Sequence, residues 1–306
     1  MYDVAIIGGG PAGLSAALLL GRSRRRVVAI DSGRPRNAAA RVFHGFLGWD
    51  GADPKALLAK ACQEISVYGV EFKPDTVVRA ECAALESLKT SFQLTTEAGA
   101  TIRCRKLLFA TGLCDDLPDL PGLLECYGIT VHHCPYCDGW EHRDEHLLAY
   151  GSTPLAAVGL ARLLTNWSRR VTVLTDGKAC ESQQVELAAE MDMGLREEPI
   201  DRLLQHDGRL NGVAFSNGQT LLADALFFNT RHQPHCNLPR EIGCEFDDDA
   251  TVRTRPKQRT NIPGLFLAGD ADGDVQFVIV AAAEGATAAV AINRELQEED
   301  LPAKPG

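Results

Sequence analysis

The chain has 306 residues, 45% hydrophobic and 24% charged, which suits one large domain or two, each with its own core, and argues against disorder. Its net charge of −10 disfavours nucleic acid and anionic membrane as partners and weakens the case for an acidic protein partner. No apolar run approaches the roughly 18–20 residues of a bilayer span, and ten cysteines in so large a chain need not form a disulfide framework. "MYDVAIIGGG" lacks the basic start and small-residue cleavage site of a signal peptide, so the expected compartment is the cytoplasm, with most thiols reduced.

Residues 3–7, "DVAII", read as a short buried parallel strand. "GGGPAG" follows, in which Gly8, Gly10 and Gly13 fit G-x-G-x-x-G, and "LSAALLLG" continues as a helix. "RVVAID" is a second strand ending in Asp31, 18 residues past Gly13. Each residue type has a task here: Gly8 permits the tight turn, Gly10 lets a pyrophosphate approach the backbone, and Gly13 lets helix pack on strand. Phosphates sit on the N–H groups at the helix N-terminus, and Asp31 can accept hydrogen bonds from a ribose. "SRRRV" (23–27) reads as a solvated helix end.

Further along, "KLLFATG" (106–112) is a strand running into a Thr-Gly turn. "HHCPYCDGWE" (132–141) holds the pair Cys134 and Cys137, whose spacing serves a redox dithiol or half of a zinc site. Zinc needs two more ligands; adjacent His132 and His133 crowd a tetrahedral site, and "RHQPHC" (231–236) is distant, so redox chemistry is favoured and no metal is expected. "HLLAYG", "STPLAAVGLARLLTNW" and "RRVTVLTD" then repeat the strand, helix, strand rhythm. Gly151 to Asp176 spans 25 positions, against 23 from Gly8 to Asp31. The fingerprint is damaged in this repeat. Thr153 stands where a glycine would admit the pyrophosphate, and Pro154 removes a phosphate donor. Late in the chain "NIPGLFLAGDADGD" (261–274) is a strand ending at Gly269 and Asp270, followed by a helix with a small-residue face. Residues 294–306 read as a frayed polar tail.

Taken together, "GGGPAG", "ATG" at 110–112, the C-x-x-C-D-G at 134–139 and "NIPGLFLAGD" resemble the low-molecular-weight thioredoxin reductases over nearly the whole chain. "DSGRPRN", "HGFLG" and "CPYCDGWE" look more like a side branch, the thioredoxin-reductase-like dithiol oxidases and disulfide oxidoreductases. The resemblance implies an α/β fold of two three-layer, Rossmann-like dinucleotide-binding domains, the second inserted in the first. Residues 1–115 and 240–306 would bind FAD, and 116–239 would carry the cysteine pair. A homodimer is implied too. Expected FAD contacts are Gly8, Gly10, Pro11, Ala12, Gly13, Asp31, Ser32, Arg36, Asn37, His44, Val77, Thr111, Gly112, Gly269, Asp270, Gln276 and Phe277. Asn37 and His44 read equally well as loop residues, and Trp140 as covering the flavin edge or packing the cysteine helix.

By the same resemblance Cys137 is the flavin-side sulfur, Cys134 the interchange sulfur that meets the substrate, and Asp138 the acid/base. His133 is either a base toward a substrate thiol or structural, and the other eight cysteines read as small buried hydrophobes. The doubtful second nucleotide site comprises Gly151, Ser152, Thr153, Pro154 and Asp176. "LTDGKACES" lacks the arginine pair the family uses on a 2′-phosphate, so NADPH is doubtful; NADH, a second FAD or an empty relic are alternatives. The expected function is an FAD-dependent disulfide/dithiol oxidoreductase, acting on a thioredoxin-like protein or a small dithiol. Its rivals are an NADPH- or ferredoxin-fed thioredoxin reductase and a non-catalytic flavin-binding sensor.

Overall fold

The structure is a computed structural model and describes residues 1–84, 90–229, 231–247, 251–273 and 275–301. In chain order the elements begin with β1 (Tyr2–Ile7), α1 (Pro11–Arg22), β2 (Val27–Asp31), α2 (Pro54–Ser66), β3 (Glu71–Pro74), β4 (Val77–Ala84), β5 (Thr90–Thr96) and β6 (Thr101–Phe109). Next come β7 (Leu113–Asp116), α3 (Leu123–Cys126), β8 (Val131–His132), α4 (Pro135–Asp138), β9 (His146–Tyr150), α5 (Pro154–Leu164), β10 (Arg170–Leu174), α6 (Ser182–Glu190) and β11 (Gly194–Arg196). The chain continues with β12 (Ile200–His206), β13 (Arg209–Phe215), β14 (Thr220–Leu222), β15 (Ala225–Phe228), β16 (Arg231–Pro234), α7 (Leu238–Glu241), β17 (Leu265–Leu267), a 3-10 turn (Asp270–Asp272) and α8 (Val278–Asp300).

These elements form two units: residues 1–38, 45–114 and 233–306, and residues 39–44 with 115–232. In the first unit the sheet order is β3-β2-β1-β6, with β17 parallel to the second half of β6 and the β4–β5 hairpin antiparallel to its first half. Val4 and Ile6 of β1 join one buried cluster with Leu108, Phe266 and residues of α1 and α8. Ala5 and Ile7 join another with Leu107, Phe109, Phe92 and Leu94. A strand apolar at every position is buried on both faces, which a parallel sheet between layers demands.

The second unit repeats the plan. Its all-parallel sheet runs β11-β10-β9-β15-β8, beside an antiparallel meander β12-β13-β14. Leu147 and Ala149 of β9 pack with α5 on one face; Leu148 packs with Val213 and Phe228 on the other. Phe109, Phe266, Phe227 and Phe228 are fully buried. At roughly 1.5–3 kcal/mol each, such side chains outweigh exposed ion pairs such as Arg79–Glu81, which contribute about 0–1 kcal/mol.

The small-residue face of α8 has a specific purpose: a Cβ on Gly285 would overlap the Ala12 carbonyl oxygen, so α8 and α1 pack backbone to backbone. From Arg294 to Asp300 the expectation of a frayed tail is corrected, because α8 continues to Asp300; residues 302–306 of that expected tail lie outside the described residues. Glu295, Glu299 and Asp300 of α8 are paired: Lys106 Nζ lies 3.0 Å from Glu295 and 2.6 Å from Glu299, and Arg25 Nη1 is 2.6 Å from Asp300. Polarity here reflects ion pairing with the sheet. No helix among the described residues is long and apolar enough to cross a membrane.

Candidate active site

Gly8 ends β1 at φ +113°, and its backbone abuts the Ala110 carbonyl, where any Cβ would overlap. That contact brings the first glycine turn against Ala110, Thr111 and Gly112, the last at φ +66°. A Cβ on Gly13 would overlap the Gly8 carbonyl oxygen, so α1 starts in direct contact with the turn. A Cβ on Gly10, by contrast, would meet nothing within 4 Å, and no side chain caps the N-terminus of α1. Pro11 opens the helix and Ala12 follows buried. A backbone bare at Gly10, leading into an uncapped helix N-terminus, fits a pyrophosphate.

Asp31 is engaged in the same turn. Its Oδ1 accepts from Gly9 N–H at 2.8 Å and its Oδ2 from Gly33 N–H at 3.1 Å. Each carboxylate oxygen keeps a lone pair with which to meet a ribose hydroxyl. Just past the end of β17, Gly269 N–H donates to Glu284 Oε2 at 2.6 Å, and a Cβ on Gly269 would lie 3.0 Å from that of Ala12. Arg36 Nη1 donates to Asp270 Oδ2 at 3.0 Å and to Gln276 Oε1 at 2.6 Å, so these three expected residues meet. Phe277 is the N-cap of α8 and Val77 is buried in β4. Ser32 is exposed beside Asp31, and Asn37 sits half-buried in the turn after Pro35. His44 belongs to the second unit, its Nε2 3.4 Å from Glu141 Oε1.

In the second unit Cys134 and Cys137 form a disulfide, with Cα atoms 5.3 Å apart. Cys134 is the N-cap of α4, and its Sγ accepts from Cys137 N–H at 3.2 Å. Pro135 suits the first helical position, which has no use for an N–H. The open N–H groups of such a turn favour a thiolate once the bond is reduced. A Cβ on Gly139 would meet the Pro135 carbonyl and the Trp167 ring, which fixes the turn from behind. Trp140 is 64% exposed under the Arg143 guanidinium, and Tyr136 is 65% exposed, edge-on to Trp167. Asp138, which closes α4, lies 3.3 Å from His132 Nδ1. His133 Nδ1 contacts Tyr127 Oη at 3.1 Å, and Asp115 accepts from His232 at 3.0 Å. Elsewhere, burial pushes the Cys104 and Cys244 thiols up to about 12, leaving them protonated and inert at neutral pH. Among the described residues no group of three or more His, Cys, Asp or Glu side chains is arranged to hold a metal ion.

The second glycine turn differs from the first. Gly151 packs against Ala157 N, where a Cβ would overlap, so the close helix contact persists. Thr153, however, caps α5, its Oγ1 accepting from Ala156 N–H at 3.2 Å, with Pro154 next. Asp176 adopts φ +51° and its Oδ1 accepts from Ile200 N–H at 2.8 Å. Burial first, then the Asp176 carboxylate it bonds, raises the Tyr150 phenol. Lys178, which the sequence reading passed over, donates its Nζ to the Ser152 carbonyl at 2.8 Å. Helix N–H, carboxylate and turn carbonyl thus have protein partners in this turn. The only sequence signal for Lys178 was a cation just past a strand end.

The sequence model of the family described as "Pyridine nucleotide-disulphide oxidoreductase" matches residues 2–285. The chain is 31% identical to thioredoxin reductase aclD of Aspergillus oryzae over 97% of this chain and 96% of that protein. It is 32% identical to thioredoxin reductase tcpT of Claviceps purpurea over 88% and 86% of the two chains. Among solved structures it resembles HlmI, with a TM-score of 0.94 and 36% identity over 98% of this chain and 93% of the other.

Proposed function

Given that the chain belongs to the pyridine nucleotide-disulphide oxidoreductases, a flavoprotein oxidoreductase with a thioredoxin reductase-like fold, we propose that it passes electrons between FAD and the Cys134–Cys137 pair, and between that pair and a thiol substrate. The favoured direction is oxidation of a substrate dithiol. Bound FAD supplies a two-electron acceptor. The first unit would hold it: the bare Gly10 backbone and the α1 N-terminus receive the pyrophosphate, Asp31 the ribose, and the Arg36–Asp270–Gln276 cluster the ribityl side. Cys134 would exchange with substrate, Cys137 would face the flavin, and Asp138 would hold or give the proton that the Cys137 sulfur exchanges. The domain reading follows, with FAD on the segments from both chain ends and the cysteine pair on the insert. Substrate is a thioredoxin-like protein or a small dithiol, handled by a cytoplasmic homodimer.

The observation carrying this reading is the contrast between the two glycine turns. One is bare at Gly10 and uncapped; the other is capped by Thr153 and bonded by Lys178. A nicotinamide dinucleotide entering the second turn must displace those bonds. A second reading, an NADPH-fed thioredoxin reductase, is favoured by one feature: Lys178 sets a cation at that turn, where a phosphate would meet it. Cofactor stoichiometry of the purified protein separates them. One FAD per chain and no other dinucleotide is expected; a co-purifying nicotinamide or a second FAD contradicts the closed second turn.

A further inference from the structure

Beside the cysteine pair, four side chains of the second unit form an unbroken line. Asp138 Oδ1 lies 3.3 Å from His132 Nδ1, His132 Nε2 lies 3.1 Å from His142 Nε2, and His142 Nδ1 lies 2.7 Å from Glu145 Oε2. Local structure builds it. His132 is the last residue of β8 and Asp138 the last of α4, while His142 and Glu145 face each other across one turn before β9. The Phe227 ring packs on both imidazoles, at 5.5 and 6.1 Å between centroids. Both histidines are buried, at 6% and 5% exposure, whereas the end carboxylates of Asp138 and Glu145 reach solvent at 27% and 38%. Among the described residues, the groups bonded to or ring-packed on the two imidazoles are Asp138, Glu145 and Phe227.

Counting protons shows what this line can do. Three contacts join the four groups: two hydrogen bonds, each with one proton between its two atoms, and the 3.3 Å ion-pair contact of Asp138 with His132. If both Nδ1 atoms carry hydrogen toward the carboxylates, the two Nε2 atoms meet lone pair to lone pair unless a third proton lies between them. Two apposed lone pairs in a buried, low-dielectric place are costly, so the contact between the two Nε2 atoms needs a proton between the rings. Once Asp138 closes its 3.3 Å contact with His132 into a hydrogen bond, moving one proton across each contact takes a proton from Asp138 to Glu145 with no ring rotation.

We infer that Asp138, His132, His142 and Glu145 form a proton relay between the cysteine pair and solvent, His132, His142 and Glu145 acting through Asp138. This rests on the dithiol reading above. A substrate thiolate attacks Cys134 Sγ, the Cys134–Cys137 bond breaks, a substrate–Cys134 bond forms, and Cys137 leaves as a thiolate. Asp138 gives that thiolate a proton, and the relay replaces it from Glu145, which takes one from water. The second substrate thiol, having lost its proton to water, attacks the substrate sulfur of the mixed disulfide and expels Cys134 as a thiolate. The substrate has lost two electrons and two protons, and the cysteine pair has gained the two electrons. When the pair hands those electrons to the flavin, the Cys137 proton leaves by the same line. A second route is useful because Asp138 follows Cys134 by one helical turn and shares its face. A substrate held on Cys134 covers it, while Glu145 lies outside that turn.

The test compares the wild-type holoenzyme with Glu145→Gln, on an exposed turn, and His142→Gln, whose amide keeps polar contacts but passes no proton. Each protein is mixed anaerobically with dithiothreitol, quenched with an alkylating agent, and analysed for trapped Cys134 and Cys137, a readout that does not use the flavin. Melting temperature and flavin content verify folding. The expected result is pair opening at least about tenfold slower in both variants, part of the 100-fold or more that a positioned acid/base supplies. Added imidazole should restore the rate in Glu145→Gln, and the wild type should show a multi-proton solvent isotope effect that both variants lose. Wild-type rates and isotope effects in both folded variants would overturn the relay alone. A wild-type pair that no dithiol opens would overturn the relay together with the dithiol reading.

Discussion

Cys137→Ser is expected to abolish turnover with every dithiol while the purified protein stays yellow. The serine oxygen cannot form the disulfide, so no two-electron store remains between substrate and flavin. The Cys134 thiolate can still attack the disulfide of an oxidised substrate, releasing one substrate sulfur as a thiolate and leaving a mixed disulfide that no second enzyme cysteine resolves. Flavin content should not change, because the residues proposed to hold it belong to the first unit, whereas Cys137 lies in the second. Steady-state turnover falling below detection, together with a wild-type flavin-to-protein absorbance ratio, is the expected pair of results. Full activity in this variant would remove the dithiol from the mechanism.

The second large effect is structural. Gly13→Val should yield a colourless protein, destabilised by more than the 1–3 kcal/mol typical of an overpacked core. The atom a Cβ would strike at Gly13 is the Gly8 carbonyl oxygen, part of the backbone that shapes the turn. No flexible side chain can move aside, so α1 must lift from β1. That shift separates α1 from α8 as well, since Ala12 and Gly285 touch through their backbones. Flavin absorbance and the midpoint of thermal unfolding measure both consequences. Retention of flavin and stability would show that the close helix contact is not what forms this turn.

How much of this could be read from residues alone follows from what each residue answers to. The first turn was legible because Gly8 and Gly13 meet backbone and Gly10 meets bare space, and such constraints admit few substitutes. β1 and β9 were legible because their doubly covered segments, residues 4–7 and 147–149, are apolar throughout. The duplicated unit showed in its spacing, and damage to the second fingerprint at Thr153 appears in the structure as a helix cap. Asp31 and Asp176 were less legible. A carboxylate at a strand end suits a ribose, but it equally suits a backbone N–H, and here Gly9, Gly33 and Ile200 supply those donors. The helix continuing to Asp300 was hidden because a charged segment looks solvated until Arg25, Arg105 and Lys106 are placed beneath it.

The proton line was the least legible feature. His132 was weighed as a zinc ligand, and "EHRDEH" carries no periodicity that singles out His142 and Glu145. Their meeting depends on β8, α4 and the turn before β9 converging behind Phe227, a tertiary event with no local signature.

The claim at the centre is that thiols, not a nicotinamide, feed this flavin. The most direct measurement is anaerobic mixing of the holoenzyme with a dithiol in one experiment and with NADPH in another, following flavin absorbance. Bleaching by the dithiol, and little or none by NADPH, is the expected outcome. Rapid bleaching by NADPH with none by any dithiol would contradict it, and would return the second turn, with Lys178, to work as a nucleotide site.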